Sequence, residues 1–134
     1  MRTRLILLAA IPALVAAGVA SAASPIAGVY LTVISGKTQA NLNGEWAIRI
    51  EPTGKYEVQK RVGNAAQLVL VGHARIAGNT ITFQKETGPA SCTGKQAVGR
   101  YGWSLKGTTL KLVRFSDKCV GRRILLGGKL TKVL

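Results

Sequence analysis

From Gly28 onward, apolar and polar residues alternate in short runs. Trp46, Ile48 and Ile50 take turns with Glu45, Ala47, Arg49 and Glu51. Tyr56 and Val58 alternate with Glu57 and Gln59, and Ile81 and Phe83 with Thr80, Thr82 and Gln84. Tyr101, Trp103 and Leu105 alternate with Arg100, Gly102 and Ser104. Successive side chains of a strand point to opposite faces, so this pattern predicts strands with one buried and one wet face. That is the habit of antiparallel sheets. About eight strands are predicted: Gly28–Ser35, Gly44–Glu51, Gly54–Arg61, Gln67–Ile76, Thr80–Glu86, Gln96–Leu105, Thr108–Phe115 and one within Gly121–Val133, broken at Gly127-Gly128. No window carries a helical period. Leu68 to Val71 is apolar on both faces, which predicts a covered strand or one facing a partner.

Pro52-Thr53-Gly54, Ala77-Gly78-Asn79 and Lys106-Gly107 read as tight turns between neighbours. Short turns between successive strands imply a meander. A meander of eight strands that closes on itself is an up-and-down β-barrel, with room inside for side chains or one small ligand. The two longest connections are Gln39–Asn43 and Glu86–Lys95.

The N-terminus follows a different pattern. Arg2 and Arg4 precede an apolar run from Leu5 to Ala20, and Ala20-Ser21-Ala22 has the form of a cleavage site. Residues 1–23 therefore read as a secretory signal peptide and 24–134 as one domain, secreted or held in the periplasm or cell envelope. The run is short for a membrane anchor, which needs roughly 20 apolar residues, and small residues end it. No membrane span is expected after cleavage. Cys92 and Cys119 are the only cysteines. In an exported domain the pair points to a disulfide, tying the Glu86–Lys95 loop to the region of Asp117-Lys118-Cys119. A metal site is the rival reading, but two thiols with no nearby histidine or carboxylate cluster do not make one.

Composition adds charge. The chain holds 19 basic and five acidic residues, and two of the basic ones lie in the first 23, so the remainder carries +12. One reading is a solvated outer sheet face. The other is a surface that associates with anions: cell-wall polymers, acidic lipid headgroups, nucleic acid or an acidic protein. Aromatics are too few for a base-stacking platform, so no specific nucleic acid is expected. An exported inhibitor is a third reading, but like charges would oppose encounter with a basic target enzyme.

Leu42-Asn43-Gly44-Glu45-Trp46 resembles the Gly-x-Trp motif of lipocalins and the wider calycin group. There the tryptophan closes one barrel end and an arginine of the last strand packs over its ring, which here implies Arg122. The chain also resembles a family of small secreted bacterial lipocalin-like domains. The matching segments are Gly54-Lys55-Tyr56, Gly78-Asn79-Thr80-Ile81-Thr82-Phe83, Gly88 to Cys92, Tyr101-Gly102-Trp103-Ser104-Leu105 and Asp117-Lys118-Cys119-Val120-Gly121-Arg122. The resemblance covers roughly residues 28 to 126. The resemblance implies a lipocalin-like barrel and an exported compartment.

Ingredients for catalysis are thin. His73 is the single histidine. Glu45 and Glu51 share the outward parity of their strand, which argues against paired-carboxylate hydrolysis. Asp117 beside Lys118 and near Arg122 suits a turn cap or an ion pair. The expectation is no enzyme, no metal and no cofactor, in a monomer. The candidate ligand-binding residues are Trp46, Tyr56, Phe83, Tyr101 and Trp103, all assigned inward parity. They describe either a filled core or an apolar pocket for a small hydrophobic ligand. Non-catalytic binding of such a ligand is the leading expectation. The basic exterior holding an anionic envelope polymer or an acidic protein is the alternative.

Overall fold

A computed structural model describes residues 25–134. The signal-peptide expectation falls on residues outside that range. Each alternating run becomes a strand: β1 (Gly28–Ile34), β2 (Gly44–Ile50), β3 (Lys55–Val62), β4 (Ala65–Ala77), β5 (Thr80–Thr87), β6 (Gly99–Lys106), β7 (Thr109–Asp117) and β8 (Leu130–Lys132). Every neighbouring pair is antiparallel, and the strands form a closed barrel in chain order. Closure rests on little: β8 pairs with β1 through Tyr30↔Lys132 and Leu31↔Thr131, and with β7 through Thr109↔Thr131 and Leu110↔Leu130. The carbonyl of Leu134 and the N–H of Val133 extend that seam to Val29.

The inward face holds the core. Tyr30, Ile34, Ile48, Ile50, Val58, Ile81, Leu110 and Leu130 are buried there. Each such side chain contributes about 1.5–3 kcal/mol by leaving water. Phe83 sits between two phenols, edge to face with Tyr56 at 5.2 Å and with Tyr101 at 5.8 Å between ring centroids. Buried phenols need partners. The hydroxyl of Tyr30 donates to the Ile26 carbonyl at 2.8 Å.

The final expected strand is corrected. Val120–Leu126 is a short helix, α1, and only Leu130–Lys132 is strand. Arg122, Leu125 and Leu126 fall on one helical face and are buried, while Val120 and Arg123 are exposed. Two turns are too short for the 3.6-residue period to stand out from alternation. Gly127 ends the helix, its N–H donating to the Arg123 carbonyl at 3.0 Å. The sixth strand also begins later than expected, at Gly99, because Gly94–Gln96 forms a 3₁₀ turn. Leu68 to Val71 is partly covered. Leu70 is buried, and the Val69 carbonyl accepts a hydrogen bond from Ala90 in the β5–β6 loop at 3.0 Å, although Leu68 remains exposed.

Three register shifts interrupt the ladders. One places Val69 as an extra residue opposite β3, between the pairs Val58↔Leu70 and Gln59↔Leu68. The second lies between Val71↔Thr87 and His73↔Gln84, so β5 carries the extra residue there. The third lies between Tyr101↔Arg114 and Arg100↔Ser116, where Phe115 is extra on β7. A bulge of this kind reverses the facing of every residue beyond it.

Candidate functional site

The β1–β2, β3–β4 and β5–β6 connections and α1 all lie at one end of the barrel, because the strands alternate in direction. A cavity of about 220 Å³ opens inside that end. Trp46, Ile48, Val58, Leu70 and Phe83 wall it from the strands, and Leu125 and Leu126 of α1 roof it. Asn41 and Leu42 reach it from the β1–β2 loop; exposed Asn41 marks the mouth. The Trp46 indole N–H donates to the Leu42 carbonyl at 2.8 Å, which pins that loop to the wall.

The inner boundary of the cavity is charged. Arg122 of α1 is 6% exposed, too little for water to solvate the guanidinium, and it lies between Glu86 of β5 and Asp117 of β7. Its Nη1 donates to Glu86 Oε2 at 2.8 Å, its Nε to Asp117 Oδ2 at 2.8 Å and its Nη2 to Asp117 Oδ1 at 2.8 Å. The remaining N–H groups go to the carbonyls of Ala97 at 3.4 Å and Gln96 at 3.0 Å. A guanidinium has five N–H donors, and all five are engaged.

The two carboxylates are held alike. Glu86 accepts from the Tyr56 hydroxyl and from the Cys92 N–H at 3.0 Å. Asp117 accepts from the Tyr101 hydroxyl and from the Cys119 N–H at 2.9 Å. Cys92 and Cys119 form the expected disulfide, with Cα atoms 6.0 Å apart. Each acid therefore holds one tyrosine, one half-cystine backbone and one side of Arg122. Gly99 of β6 allows this closeness: a Cβ there would stand 2.5 Å from Asp117 Oδ2 and 2.7 Å from Arg122 Nε.

Protonation follows from the contacts. Burial pushes the Tyr56 and Tyr101 phenols well above their ordinary range, and their carboxylate acceptors push them further. Burial alone would also raise the Asp117 carboxyl. Hydrogen bonds from Arg122, Tyr101 and the Cys119 N–H outweigh it and hold the group below its ordinary value. Burial disfavours the Arg122 cation, but the bonds to Asp117 and Glu86 prevail and strengthen its hold on the proton. Asp117 is thus held as the anion and Arg122 as the cation of one bonded pair. Glu86 also lies within 4.8 Å of both cysteine sulfurs, but those are bonded to each other and leave no thiolate to ligate a metal.

The candidate residues separate. Trp46, Tyr56 and Phe83 line the cavity together. Tyr101 is buried behind them, committed to Asp117 and Phe83. Trp103 belongs to the opposite end, where its indole N–H donates to Gly78 of the β4–β5 turn at 3.0 Å. The expected arginine over Trp46 is corrected as well. Arg122 sits on a helix and spends its donors on the two acids, while the ammonium of Lys60 lies 5.2 Å from the Trp46 ring centroid. Paired strand neighbours explain the replacement, since Trp46 stands directly opposite Lys60.

Glu86 was absent from the sequence-level candidates, and Asp117 entered only as a turn cap or ion pair. Strict alternation from Ile81 and Phe83 sends Glu86 outward. Lys85 instead takes a φ of 54°, within the left-handed region, and the bulge on β5 turns Glu86 inward. The Phe115 bulge does the same for Asp117, which alternation from Leu110 and Leu112 would expose. Each acid enters the core through an irregularity, which period-two reasoning cannot see. The one sequence signal was an acid at a strand end just before a cysteine-bearing loop.

Comparison with protein-family models, with curated proteins and with solved structures returned no match to this chain.

Proposed function

We propose that the protein is an exported, non-catalytic binding protein that holds one small, neutral, mostly apolar ligand in the open end of its barrel. The cavity above the Glu86–Arg122–Asp117 cluster carries this reading. Apolar cavities of about 150 Å³ take up benzene. A volume of about 220 Å³ suits a ligand somewhat larger, such as a single ring with a short substituent. Neutrality follows from the wall. All Arg122 donors and both carboxylates are already engaged, so a charged ligand would be desolvated without compensation. The disulfide supports an oxidising, exported setting, as does the resemblance to secreted lipocalin-like domains.

Tryptophan emission tests the reading. Trp46 lines the cavity and Trp103 lies at the far end, so Trp103→Phe leaves one reporter. Titration of that variant with small neutral aromatics should shift Trp46 emission saturably. Native mass spectrometry of protein from its own host should show a matching mass that departs on denaturation. A bare polypeptide together with unresponsive Trp46 emission across such probes would overturn the proposal.

A further inference from the structure

The side-chain carboxylates are unevenly placed. Of the five in the chain, Glu86 and Asp117 are buried against Arg122. Glu45 lies on β2, Glu51 in the β2–β3 turn and Glu57 on β3. Glu45 pairs with Arg61 at 2.8 Å and Glu57 with Lys55 at 3.1 Å. No surface carboxylate side chain remains on β4 to β7.

The outer face of those strands is built in rows. Register aligns Arg75, Thr82, Arg100 and Ser116 across four strands. The next row is Ala77, Thr80, Gly102 and Val113, and beyond it Ser104 stands opposite Lys111. Arg75, Arg100 and Lys111 are exposed and form no ion pair with an acid among the described residues. Strands lie about 4.8 Å apart, so Arg75 and Arg100 are spaced by about 10 Å. The Phe115 bulge lays its ring across Gly102, where a Cβ would stand 2.8 Å from the ring carbon Cζ. Phe115 is 61% exposed, far more than packing of the fold requires of a phenylalanine. A shallow groove of about 350 Å³ runs beside it, edged by Thr80, Ser104 and Lys111.

We infer that this face binds an acidic polysaccharide, a chain of sugars bearing carboxylates. The two arginines offer planar donor forks to carboxylates at intervals along a chain. The negative face of the Phe115 ring attracts the partly positive C–H face of a pyranose. Thr80, Thr82, Ser104 and Ser116 supply hydroxyls for sugar oxygens. A nucleic acid would need several stacking rings, and the groove offers Phe115 outward with only half-buried Trp103 beside it. The inference stands apart from the cavity reading and uses none of its residues.

Polygalacturonate is the probe, with a neutral glucan and phosphatidylglycerol vesicles beside it. The protein should retain polygalacturonate at low salt, release it as salt rises and ignore the glucan. Arg75→Glu with Arg100→Glu should weaken binding by about tenfold or more, while Arg49→Glu with Lys37→Glu, an equal charge change away from this face, should stay within about twofold. Phe115→Ala should weaken it by about threefold to fivefold while the melting temperature holds. Equal losses in the two charge-reversed pairs would reduce the effect to net charge and overturn the inference. So would unchanged binding by Phe115→Ala, tighter binding to the vesicles than to polygalacturonate, or no binding of polygalacturonate at low salt.

Discussion

At the end of the barrel that carries the β2–β3, β4–β5 and β6–β7 turns, Ile26, Tyr30, Leu110 and Leu130 are 0–2% exposed. Their side chains fill the space between the strands. At the other end a cavity of about 220 Å³ separates the wall from α1, and three charged groups lie buried beneath it. Fill at the first end comes from apolar side chains that need only be the right size. Order at the second comes from directional bonds, which hold side chains and backbone apart as firmly as together. A hollow can persist there because the cluster and the disulfide, rather than close packing, fix the surrounding loops.

The largest test of this contrast is Arg122→Met. It leaves two buried carboxylates without their cation and should cost about 3–5 kcal/mol in urea unfolding. Adding Glu86→Gln and Asp117→Asn should restore part of that loss, because the uncompensated charge disappears. A single variant as stable as the parent would show that the cluster does not hold this end.

Reduction of Cys92–Cys119 comes next. The two are 27 positions apart, and the chain-entropy account gives about 3–4 kcal/mol for a loop of that length. The loss should appear as a lower melting temperature, with hydrogen exchange rising first in the β5–β6 loop and α1. Uniform exchange across the barrel would mean the two ends are not independent.

Leucine truncation compares the ends directly. Leu130→Ala opens a hole in the filled end and should cost toward the upper part of about 2–5 kcal/mol. Leu126→Ala widens a hollow that already exists, so fewer contacts are lost and the cost should fall toward the lower part of that range. Equal costs would remove the distinction.

The smallest expected effect is in acid. The folded Asp117 carboxyl titrates below its unfolded value, so the unfolded chain binds more protons as pH falls. Its contribution is present in full above the unfolded carboxylate value of about 3.9 and is lost as pH drops through the folded value. Asp117→Asn should flatten the fall in melting temperature below about pH 4. An unchanged acid limb would place the sensitivity elsewhere.

Much of the barrel was legible in the chain. Alternation around Trp46, Tyr56, Ile81 and Tyr101 is enough to predict antiparallel strands, because one pleated face must leave water and the other need not. Glycine-bearing turns fix the meander, and two cysteines have one intramolecular bridge to form. What alternation could not reach were the exceptions to it. Glu86 and Asp117 face inward because one residue too many on β5 and on β7 reverses the facing beyond it, and only the paired strand reveals which residue is extra. Arg122 reaches them because two turns of helix replaced an expected strand, a choice made by the burial of Leu125 and Leu126 over the open barrel. Trp46, Tyr56 and Phe83 were placed together by parity, whereas Trp103 shared that parity and lies at the far end. Period two sets which side of a sheet a residue faces; its height along the barrel, and whether the space there is filled, depends on closure of all eight strands.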